Sequence, residues 1–149
     1  MTSRRTLTLL VVVAHWIVAI GHLFLAAKVL SPPNNHVSWL ALTLITLGHL
    51  AVSLALLTLS YKIAGLVSLI FFLAALGADL YEHFLHASAN NVFMVASGGW
   101  TAPFDASVFV LLALEIAGCL LAILLLGGRT RTRTSNNAPP HLANRGVLS

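Results

Sequence analysis

Four long apolar runs constrain this chain more than any other feature. They include "TLTLLVVVAHWIVAIGHLFLAA" near the start, "AGLVSLIFFLAAL" in the middle and "LLALEIAGCLLAILLL" towards the end. The spans built on them are each near or above the roughly 20 residues that a helix needs to cross a hydrocarbon layer of ~30 Å. The predicted spans are about 7–30, 37–59, 63–86 and 104–127. Barrel strands alternate polar and apolar residues, whereas these runs are apolar on nearly every side, so the pattern selects helices over a membrane β-barrel. With 58% hydrophobic and 8% charged residues and a mean hydropathy of +0.93, the chain lies outside the range of a soluble domain. The expected fold class is all-α: a four-helix transmembrane bundle over 1–128, integral and multi-pass, followed by a disordered basic tail over 129–149.

The basic residues predict an orientation. Arg4 and Arg5 precede span 1, Lys62 sits in the short "LSYKI" link, and Arg129, Arg131, Arg133 and Arg145 follow span 4, leaving Lys28 alone on the other side. Lys and Arg favour the cytoplasmic side, so both termini are expected there. The pI near 10 then reports topology and attraction to anionic lipid rather than nucleic-acid binding. "MTSRR", an apolar run and "LAA" before Lys28 also have the outline of a signal peptide, but the run is long for one and contains His15 and His22. The single cysteine, Cys119, excludes an internal disulfide or a two-thiol relay. Beside Gly118 it reads as small-residue packing.

Between the spans, "SPPNNH" (31–36) predicts a turn, with Asn34 or Asn35 available to cap span 2. Thr101 ahead of Pro103 predicts the start of span 4. The longest connection, "ASANNVFMVASGGWTAP", is expected to lie at the interface.

All four acidic residues lie in or at the edge of a span, although loops would hold a carboxylate at little cost. An ionisable group at the bilayer centre costs about 2.5–3.5 kcal/mol even on lenient scales, so such groups face the bundle interior and have partners. On a regular helix Asp79, Glu82, His83 and His86 fall within one arc of ~100°, and the same stripe runs back through Ala75, Phe72 and Ser68. On span 1, His15 and His22 are two turns apart. Thr46, His49 and Ser53 make a polar stripe on span 2, and Glu115 lies one turn from Cys119 on span 4. Counting ~1.5 Å per residue from each midpoint puts His15, His49 and Glu115 near the midplane and His22 and Asp79 about 6–8 Å outward.

Three functions compete. Imidazole with carboxylate suits a transition metal (copper, iron or zinc) in a redox or oxygen-handling role, with His22, Asp79, Glu82, His83 and His86 as the ligand set. Haem is the related expectation, with His15 and His49 as the axial pair, Glu115 beside them, and Gly21 and Gly48 leaving room for a flat ring. The D-x-x-x-H spacing of Asp79 and His83 is similar to a fragment of the copper-binding helix of membrane-bound copper monooxygenases. That likeness covers five residues, in a chain shorter than such a subunit, and carries no activity over.

The second function is a proton relay or proton-coupled solute transporter built on His15, His49 and Glu115. The third is an accessory subunit of a larger membrane complex, or a homo-oligomer. Against all three stand plain structural roles: interhelical hydrogen bonds for His15 and His49, a protonated Glu115 bonded to one of them, and interfacial polarity for Glu82, His83 and His86.

Overall fold

A computed structural model describes residues 3–29, 37–88, 90–95 and 97–127. The tail expected over 129–149, and Asn34 and Asn35 as caps, lie outside the described residues. Four helices account for most of the rest: α1 (Arg4–Val29), α2 (Trp39–Thr58), α3 (Tyr61–Leu80) and α4 (Thr101–Leu126). A single wide π turn, Tyr81–Leu85, prolongs α3. All four helices, α3 taken with that turn, are long and apolar enough to cross a membrane.

Local chemistry sets the helix ends. Ser38 caps α2 by accepting from the Ala41 amide, and Ser60 caps α3 through the Ile63 amide. Only Leu59 and Ser60 separate these two helices, which holds them antiparallel. α4 begins at Thr101, where Pro103 falls in the first turn and its missing N–H costs nothing. α1 begins at Arg4, earlier than its apolar run, because the two arginines have partners there. Arg4 Nη1 donates to the Leu124 carbonyl at 2.8 Å, and Arg5 Nη2 donates to the Leu59 carbonyl at 2.7 Å. The Arg5 guanidinium also lies 4.2 Å from the centre of the Tyr61 ring. These residues define a basic end of the bundle; the segment between α3 and α4 defines the opposite, loop end.

Each helix packs on two neighbours, in the order α1–α4–α3–α2 and back to α1. The α3–α4 seam is the tightest. Phe72 lies directly over Gly118, where an added Cβ would overlap its ring, and Gly65 abuts the Ala122 carbonyl and Leu125. Cys119 belongs to the same core with Val12, Val52, Leu56, Ala64 and Leu125. The outer surface carries large apolar side chains on every helix, among them Leu10, Ile17, Leu44, Leu57, Ile70 and Leu120.

Candidate functional site

Seen from the sequence, His15, His49 and Glu115 share a level. In the structure they are bonded in a row. His49 Nδ1 lies 2.6 Å from the Ile45 carbonyl, His49 Nε2 lies 2.7 Å from His15 Nδ1, and His15 Nε2 lies 3.1 Å from Glu115 Oε1. All three side chains are buried. The donors follow by elimination. A carbonyl only accepts, so His49 Nδ1 carries its proton, and His49 Nε2, while the ring is neutral, is a lone pair that accepts from His15 Nδ1–H. His15 Nε2 and Glu115 Oε1 then share one proton, as carboxylic acid with neutral imidazole or as carboxylate with imidazolium. Phe71 packs edge-on against both imidazoles, at 6.0 and 4.9 Å between ring centres.

Asp79 shares a cavity wall with this row, although its residue count places it with His22 in an outer layer. Side chains lean towards their own helix N-terminus, and α3 and α4 run in opposite directions. Asp79 therefore leans towards the basic end and Glu115 towards the loop end, which brings both carboxyl groups into the wall of one cavity. Glu115 Oε2 is buried and has no N–H or hydroxyl donor among the described residues. Any hydrogen bond between two acids needs a proton on one of them.

The expected four-residue face of α3 splits at the π turn. The wider turn, closed by His86 N–H to the Tyr81 carbonyl at 2.7 Å, changes the angular step just where Glu82, His83 and His86 follow. His83 points inward and is buried, whereas the side chains of Glu82 and His86 are 45% and 47% exposed and form a loose pair at 3.4 Å. His86 also stacks on Tyr81. The loop closes over this end: Val92 N–H donates to the His83 carbonyl and Asn91 Nδ2 to the His86 carbonyl.

His22 and His83 meet edge to face, with 4.9 Å between ring centres, and Phe104 lies against both. Their tautomers are also fixed. His83 Nδ1 donates to the Asn90 carbonyl at 2.8 Å. Ser107 gives its only proton to the Phe104 carbonyl, so it must accept from His22 Nδ1, 2.8 Å away. Each neutral ring thus keeps a lone pair on Nε2. Nothing in the sequence singles out Ser107 or Asn90; both act through contacts that only the fold creates.

A cavity of about 520 Å³ connects the two groups, lined by His15, His22, His49, Asp79, Glu82, His83 and Glu115 among mostly apolar neighbours; His86 is not in its wall. A second, smaller cavity of about 220 Å³ lies between α1 and α2, and His49 lines both. Trp16 Nε1 donates to Thr46 Oγ1 in its wall.

Among the described residues, no three His, Cys, Asp or Glu side chains converge as a metal-binding group. The expected haem pair is bonded nitrogen to nitrogen, so the rings of His15 and His49 would have to part to admit an iron. Phe71 fills the space beside Gly48, while the space beside Gly21 is open. No family model, curated protein or solved structure matches this chain.

Proposed function

We propose that this chain spans a membrane four times, with both termini cytoplasmic, and works as a proton-coupled transporter of a small solute. The observation that carries this reading is the bonded row Glu115, His15 and His49, in which one proton is shared between Glu115 and His15, with Asp79 in the wall of the same cavity. A proton entering at the carboxyl pair can pass to His15 Nε2, and the Nδ1 proton of the same ring can pass to His49 Nε2. Charge then moves from the large cavity to the edge of the small one without either imidazole travelling. Intramembrane chains of His and carboxylate serve this purpose in pumps and transporters. The outward apolar surface and the collection of basic residues at one end support the membrane placement and its orientation.

The test is flux in reconstituted vesicles under an imposed pH gradient. Glu115→Gln keeps a donor for His15 Nε2 but cannot pass a proton on, so pH-driven flux should vanish while the fold persists. Equal flux from both proteins would sink the proposal.

A transition-metal centre at the loop end is the second reading. Its support is the pair of Nε2 lone pairs on His22 and His83, held by hydrogen bonds on Nδ1 as metal-ligating histidines usually are. Metal content and an optical spectrum of the purified protein separate the two readings, and a Soret band would select haem.

A further inference from the structure

The large cavity offers a ligand almost nothing but acceptors. His22 Nε2 and His83 Nε2 are lone pairs while the rings are neutral, because Ser107 and Asn90 take both Nδ1 protons. Both N–H groups of the inner pair are spent, His49 on Ile45 and His15 on His49. The Asp79 carboxyl and Glu115 Oε2 are further acceptors in the wall, and Glu115 Oε2 has no hydrogen-bond partner among the described residues. Among the described residues of the wall, the Asn90 amide is the only side chain with an uncommitted N–H. Glu82 adds one more carboxylate, and the remaining lining is apolar, including Ala19, Ala26, Ile70, Phe71, Ala74 and Leu111.

A ligand with acceptors or negative charge would leave these groups unpaired and add repulsion at the carboxyls. A bare metal ion would leave most of about 520 Å³ unfilled. From this pattern we infer that the cavity binds a small organic ammonium ion, a protonated amine on an apolar body, in exchange for the proton between Asp79 and Glu115.

The site carries two adjacent carboxyls. With one proton committed to the Glu115–His15 bond, an ionised Asp79 beside Glu115 needs a positive partner. A proton fills that need in the empty site and the ammonium fills it in the loaded one. When R–NH3+ enters, its N–H groups donate to Asp79, Glu115 Oε2 and the imidazole lone pairs, and one proton leaves. The net charge of the site is the same before and after. This step rests on the proton-coupled reading and names its solute.

The test uses the full chain in detergent with phenethylammonium as the probe, against three analogues of similar size. These are 2-phenylethanol, which lacks the charge; 3-phenylpropionate, which reverses it; and N,N,N-trimethylphenethylammonium, which keeps the charge but has no N–H. Titration calorimetry in two buffers of different ionisation enthalpy counts the protons released. Phenethylammonium should bind about tenfold or more tightly than each analogue, because a site built to hydrogen-bond one group rejects ligands lacking it. It should also release close to one proton, and Asp79→Asn should abolish both the preference and the release.

Equal binding of the alcohol or the trimethyl analogue overturns the inference, as does binding without proton release. So does uptake of Zn2+ that phenethylammonium does not compete away, which assigns the cavity to a metal. Vesicle flux is read separately. Selective, proton-releasing binding without pH-driven flux removes the transport reading and leaves the ligand assignment standing. Flux without ammonium selectivity does the reverse.

Discussion

His15 Nδ1 donates its proton to His49 Nε2 across 2.7 Å, and the Ile45 carbonyl on the far side of His49 leaves no other assignment while both rings are neutral. One backbone carbonyl in α2 therefore sets the tautomers of two imidazoles on two helices. Because a carbonyl cannot donate, the row has a polarity, and its shared proton lies at the Glu115 end. The Asn90 carbonyl and Ser107 play the same part for His83 and His22.

These tautomers can be read directly. In 15N-labelled protein at a pH where the imidazoles are neutral, His22, His49 and His83 should each show a protonated Nδ1 and an unprotonated Nε2. A nitrogen–nitrogen coupling should connect His15 and His49 across their hydrogen bond. Protonated Nε2 on His49 would contradict the bonding order.

Glu115 has separable structural and chemical roles. Glu115→Gln retains a donor for His15 Nε2 and should cost about 1 kcal/mol of stability, the worth of one altered hydrogen bond. Glu115→Ala leaves that nitrogen unpartnered and opens a void at a fully buried position, which should cost about 2–4 kcal/mol. Thermal unfolding in one detergent ranks the two. Equal costs would mean that the hydrogen bond to His15 does not matter to the fold.

Gly118 in the α3–α4 seam and Gly21 in α1 make a sharp contrast. A methyl group at Gly118 would overlap the Phe72 ring, so Gly118→Ala should destabilise by about 1–3 kcal/mol. Shortening Phe72 to Leu in the same chain should recover part of that loss, since the two positions are in contact. Gly21 faces open space and sits inside α1, so Gly21→Ala should be neutral or stabilising by up to about 1 kcal/mol in the same unfolding assay.

Orientation is testable without any assay of function. Cysteine labels placed at Ser3 and Ser135 in a Cys119→Ala background should be reached only from the cytoplasmic side, and one at Ser97 only from the other. The arginines add a structural term to this signal: Arg4→Ala removes a bond to the last turn of α4 and should lower stability by about 0.5–1.5 kcal/mol. A mature protein beginning near Lys28 would instead show that the first helix is a cleaved signal, and would take His15 out of the proposed relay.

The number and type of elements were legible because they depend on local, additive properties. Hydropathy summed over about 20 residues selects helices. The period of 3.6 puts Ser68 and Phe72 on the buried stripe of α3, where both are found. The unusual placement of the acids also marked where partners had to be. What those partners are was not legible, since it depends on how helices lean and face one another. Asp79 reaches the cavity of Glu115 because antiparallel helices tilt their side chains towards each other, which a residue count along one helix cannot show. His83 and His86 part company because a π turn changes the angular step between them, and the bond that closes it, to the Tyr81 carbonyl, has no signature in "YEHFLH". The directions of the protons came last of all. They were decided by the Ile45, Asn90 and Phe104 carbonyls, which every residue possesses and only the fold can bring to a particular imidazole or hydroxyl.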